Sequence, residues 1–125
     1  MKKIALVLFA SLAPISVVQA QNMPLSQFVT KANALEKKGA MALFSGDMGL
    51  LKKEMAASAK ALRAERLAAQ QAGRKPAFCP PEKQTGMAAT EILGHFRAIP
   101  AAQRDRMRTK DGFRSLLATK YPCPA

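Results

Sequence analysis

No proline interrupts the chain between Met48 and Ala72, and that stretch narrows the fold more than any other feature. Ser45-Gly46-Asp47 before it offers a helix start and Gly73 after it a stop. A helix over about Met48 to Ala72 would run roughly 38 Å, so the rest of a small chain must pack along it. At about 100° per residue, Met48, Leu51, Met55, Ser58, Leu62 and Ala69 fall in one narrow stripe. Asp47, Glu54 and Glu65 take one flank, and Lys52, Lys53, Lys60, Arg63 and Arg66 the other. Charged flanks of this kind read first as solvated surface, and the basic one second as a contact for an acidic partner. The stripe, rich in Ala, Met and Leu, suits either an intramolecular core or a helix-to-helix homodimer.

Shorter helices flank this one. Ser26 is placed to cap a helix over Gln27 to Lys38, with Phe28, Ala32 and Leu35 at helical spacing and Gly39 as its stop. An apolar turn, Met41 to Phe44, follows. Pro76, Pro80 and Pro81 make residues 73–81 an internal linker. Thr85 can cap a third helix over Gly86 to Ala98 that buries Met87 or Ala88, Ile92, Leu93 and Phe96. Pro100 starts a short segment through about Arg106, and Thr109 with Asp111 starts a last helix, Lys110 to Lys120, whose Phe113, Leu116, Leu117 and Tyr121 face inward. No run alternates as a strand would. The expected fold is all-α, a small bundle of about four to five helices with one disulfide.

The chain opens with Lys2 and Lys3, an apolar run from Ile4 to Ala13, then Pro14 and Val18-Gln19-Ala20, the three parts of a secretory signal peptide in order. Residues 1–20 are expected to be removed after Ala20. About 15 mainly apolar residues are too few to span a membrane, and position 21 is Gln rather than the Cys of a lipoprotein. Residues 21–125 then form a single helical domain, about 105 residues being too few for two cores. The formal net charge, +12 for the whole chain, falls to about +10 without Lys2 and Lys3. Cys79 and Cys123 are the only cysteines. In an exported chain they are expected to pair, a bridge of roughly 4 kcal/mol on the chain-entropy model.

Catalysis has little to work with. His95 is the one histidine and lies beside Phe96 on the third helix, where a half-exposed flank position is expected. Two thiols and one imidazole do not make a zinc set, Glu54 and Glu65 lie about three turns apart, and there is no glycine-rich phosphate loop, so no cofactor or metal is expected. Arg97, Arg104, Arg106, Arg108, Lys110 and Arg114, against Asp105 and Asp111, form the densest basic patch and the candidate partner contact. Export, the lack of Trp and a lone Tyr argue against nucleic acid. Anionic cell-wall polymer or lipid headgroups remain targets for charge alone, and membrane contact is expected only through the transient signal peptide or weak surface charge.

From Phe78 the chain reads FCPPEKQTGMAATEILGHFRAIPAAQR and, after a spacer, FRSLLATKYPCP. Cys-x-Pro, a Gly-led helix ending near Pro, and a final helix closing in aromatic-Pro-Cys resemble the Rap/Tai immunity proteins. The matching positions within residues 78–124 are Cys79, Pro81, Gly86, Ile92, Leu93, Phe96, Pro100, Phe113, Leu116, Leu117, Tyr121, Pro122 and Cys123. Members of that family commonly carry a Tyr followed by polar residues where this chain has Phe96-Arg97. The resemblance implies a small helical, disulfide-stapled periplasmic protein, a homodimer, and protection against an amidase effector delivered by the type VI secretion system. Together these readings predict an exported, non-catalytic binding protein, either an inhibitor of such an amidase or a basic envelope protein.

Overall fold

A computed structural model describes residues 23–83 and 86–125. The signal peptide expected over residues 1–20 and the cap expected at Thr85 lie outside the described residues. Helix α1 is Leu25–Lys38, followed by a 3-10 segment Gly39–Phe44; α2 is Gly46–Gln71, α3 Ala89–Ala98, α4 Ala101–Arg104 and α5 Thr109–Lys120. The described residues hold no strand, only an isolated antiparallel bridge between Pro24 and Arg108. The all-α expectation stands, with the bridge between Cys79 and Cys123 formed.

Helix α1 starts two residues earlier than its Ser26 cap predicts. Pro24 precedes it with extended geometry, and the Leu25 N–H donates to the Met107 carbonyl at 2.9 Å. A tertiary bond thus satisfies one of the free amides that a cap would have served. Leu25, Phe28, Val29, Ala32 and Leu35 are buried along one stripe, and Phe28 meets Phe96 of α3 edge-on with ring centres 5.6 Å apart. At Gly39 the helix ends with φ +56°, a conformation glycine adopts without the Cβ penalty.

Ser45 caps α2, its Oγ accepting from the Asp47 N–H, and Lys31 of α1 pairs with Asp47 at 3.2 Å. The far end closes through Gly73 at φ +67°, with Arg74 N–H donating to Ala69 O and Gly73 N–H to Gln70 O, the paired bonds of a Schellman stop. Between them the buried residues are Leu51, Glu54, Ser58 and Leu62. Glu54 on a solvated flank is therefore a misreading, because residue 23 covers it.

Helix α5 packs on α2, α3 and α1. Gly112 lets it approach closely: a Cβ there would lie 2.8 Å from Leu25 Cδ2 and 3.3 Å from Phe96. Thr109 does not cap this helix. It is buried, and both its N–H and its hydroxyl donate to the Met23 carbonyl at 2.9 and 3.0 Å. Asp111 serves the helix start instead, accepting from the Arg108 N–H.

With the third helix starting at Gly86, as its sequence predicts, a bridge at Cys79 would dock the last helix on the start of the third. In the structure α3 begins ten residues beyond Cys79, so the bridge fastens the C-terminal tail to the linker, where Cys79 N–H also donates to Tyr121 O at 2.8 Å. The docking of α5 on α3 falls to Lys120 with Glu91 at 2.7 Å and to His95 with Ser115 at 3.0 Å.

Candidate functional site

The basic residues singled out from the sequence are dispersed, and Arg97, Lys110 and Arg114 hold ion pairs. Arg97 pairs with Glu36 at 2.8 Å and donates twice to Asn33 of α1. Lys110 and Arg114 both clasp Glu65 of α2 at 2.8 Å, and Arg114 also pairs with Asp111. Burial tends to raise the pKa of Glu65, but the bonds and charges of Lys110 and Arg114 outweigh it and leave that carboxyl below its usual range. Asp111 is lowered as well: desolvation opposes the change, and bonding to the Arg108 amide and to Arg114 prevails. Arg104 is half-buried on α4, Arg106 exposed just beyond it, and Arg108 sits at the start of α5 against Pro24. Three of the six cations thus bind the helices to one another.

A further run of cations with no ion pair among the described residues lies along α2. Lys52, Lys53, Lys60 and Arg63 follow one flank of α2, all exposed.

Two features that the sequence reading passed over lie at the other end of α1. The 3-10 segment turns Ala42 inward and leaves its neighbours outside: Met41 is 67% exposed, Leu43 74% and Phe44 85%. Beside it opens a cleft of about 520 Å³. Phe28, Ala32 and Leu35 of α1, Met48, Leu51 and Met55 of α2, and Ile92 and Leu93 of α3 give it almost wholly apolar walls, with Glu36 and Lys52 contributing charged side chains. The signal for the exposed ridge was present as the apolar run Met41 to Phe44 ahead of a serine cap, but a turn of that kind could equally have folded inward. A second cleft, half polar and about 540 Å³, lies against Leu62, Arg66, Phe78 and Phe113.

No family model, curated protein or solved structure matches the chain. Its chemistry must therefore be read from its own side chains.

His95 is half-buried on α3 and shares a hydrogen bond with Ser115, as a flank residue would. Among the described residues no three His, Cys, Asp or Glu side chains come together as a metal site. The one fully buried carboxylate among the described residues is Glu54: Oε1 accepts from the Met23 N–H at 3.3 Å, while Oε2 and the Ser58 hydroxyl one turn away have no partner within that set. Desolvation raises the Glu54 pKa, with the Met23 amide pulling weakly the other way. It anchors the N-terminal arm beneath α2.

Proposed function

We propose that this chain is an exported, non-catalytic binding protein that docks on a partner protein through Met41, Leu43 and Phe44. The observation that carries the reading is the exposure of these three side chains on a six-residue turn. Large apolar side chains that protrude together from a small domain mark an interaction surface, and an aromatic anchor at its centre commonly dominates the binding energy. The turn that carries them packs on α1 and α2, which hold it in place, so little chain entropy is lost on docking.

The disulfide fits an oxidising, extracytoplasmic compartment, and no helix among the described residues is long and apolar enough to cross a membrane. The finer address we propose is the periplasm, reached after cleavage behind Ala20. The partner we propose is a peptidoglycan amidase of the type VI secretion kind, which the Cys-to-Cys resemblance suggests and whose active site the ridge would occlude. Cells challenged with periplasmic amidase toxins should survive when they export this chain and not when residues 1–20 are deleted. Phe44→Ser combined with Leu43→Ser should abolish protection without lowering the level of folded protein. Protection that survives this double change rules out the ridge, and failure to protect against or bind any such amidase rules out the partner.

A basic envelope protein is the second reading, and the unpaired cations along α2 favour it. Binding of that kind collapses between low and physiological salt, whereas docking on apolar anchors persists.

A further inference from the structure

The apolar cleft beside the ridge has the form of a small-molecule site, and we propose that it takes the acyl chain of a single-chain anionic amphiphile with the headgroup at Lys52. Its volume of about 520 Å³ lies within the range of 300–1,000 Å³ typical of such sites. Four elements wall it: Leu35 stands on α1, Ala42 on the 3-10 segment, Met55 on α2 and Ile92 on α3. The thioethers of Met48 and Met55, both on α2, give that wall the freedom to close on an unbranched chain. A partner helix, about 10 Å across, would seat only a few side chains there and leave the interior underfilled.

Charge decides the headgroup. Among the described residues only two charged side chains line the cleft, Glu36 and Lys52. Glu36 is held by Arg97 at 2.8 Å, whereas Lys52 has no ion pair among the described residues. The uncompensated charge at the cleft is therefore positive, on a molecule whose net charge, about +10 without Lys2 and Lys3, already draws anions. A carboxylate and a phosphate headgroup share this chemistry, so a fatty acid and a lysophospholipid are the two sources to separate. The inference stands apart from the amidase reading: the ligand is titrated with no partner protein present.

The test is calorimetric titration of the full mature chain with dodecanoate and dodecyl phosphate below their micelle concentrations and with dodecanol below its solubility limit. Saturable one-to-one binding of the two anions is expected, with dodecanol about tenfold weaker, the equivalent of one pairing of about 1.4 kcal/mol. The tighter anion identifies the source. Lys52→Glu, an exposed change that leaves the fold intact, should cost the anions at least tenfold and leave dodecanol unaffected. Ala89→Trp, at an exposed position on the lining, should block all three ligands, with circular dichroism reporting folding. Equal binding of dodecanol and dodecanoate, or indifference to Lys52→Glu, overturns the headgroup assignment. Absence of saturable binding overturns the site, as does adsorption seen only with anionic vesicles. A dimer seen by light scattering that Ala89→Trp converts to monomer places a second copy in the cleft and overturns it too.

Discussion

At its first turn α1 is held by Met23, whose carbonyl takes two bonds from Thr109 and whose amide reaches Glu54, and by Leu25, which donates to Met107. About 21 Å further on, at its last turn, the chain passes through Gly39 into a segment whose three large side chains face solvent. The first region spends polar groups to fix one arrangement, burying even a carboxylate to do so. The second leaves apolar surface uncovered, an arrangement that adds little to the stability of an isolated domain and raises its capacity to bind. The contrast separates a frame from a face: substitutions in the frame should be read as stability, and substitutions in the face as binding.

The largest expected effect is on the frame. Replacing Cys79 and Cys123 by Ala opens the closure between residues 44 apart in sequence and should cost roughly 4 kcal/mol in urea unfolding. A loss under about 1 kcal/mol would mean that the tail is held by packing of Tyr121 and the Cys79 amide alone.

Glu54 gives a smaller effect with a sign. Its folded pKa is raised, so its favourable contribution is complete below the ordinary carboxylate range and is lost as pH rises through the folded value. Glu65 and Asp111 are lowered, so theirs is present at neutral pH and lost as pH falls through the lowered values. Glu54→Gln should therefore gain stability relative to the native chain as pH rises, by about 1–3 kcal/mol at neutrality, while acid destabilisation persists in both. Urea midpoints followed from about pH 3 to 8 check this, and parallel curves for the two proteins would refute it.

What could be read in the sequence was local. Gly39, Ser45 and Gly73 punctuate helices through their own backbone or side chain, so the ends of α1 and α2 were predicted close to where they fall. Two cysteines in an exported chain leave one pairing. Illegible features depend on segments distant in the chain: Glu54 is buried because Met23, 31 residues away, lies over it, and Lys110 and Arg114 lose their availability to Glu65 on another helix. The same holds for the start of α1, set by Met107 rather than by Ser26. The site followed this rule as well. A cleft assembled from three helices and a turn has no contiguous signature, and Met41 to Phe44 gave no sign of which way they faced.

The most direct trial of the separation between frame and face is the urea stability of a Met41→Ser, Leu43→Ser, Phe44→Ser variant. Exposed side chains outside the core contribute little to folding, so each change should stay within about 0.5 kcal/mol and the unfolding slope should not alter. A fall of about 4 kcal/mol or more would show that these three side chains are buried in the folded state in solution, since full burial of each is worth about 1.5–3 kcal/mol, and would contradict the account.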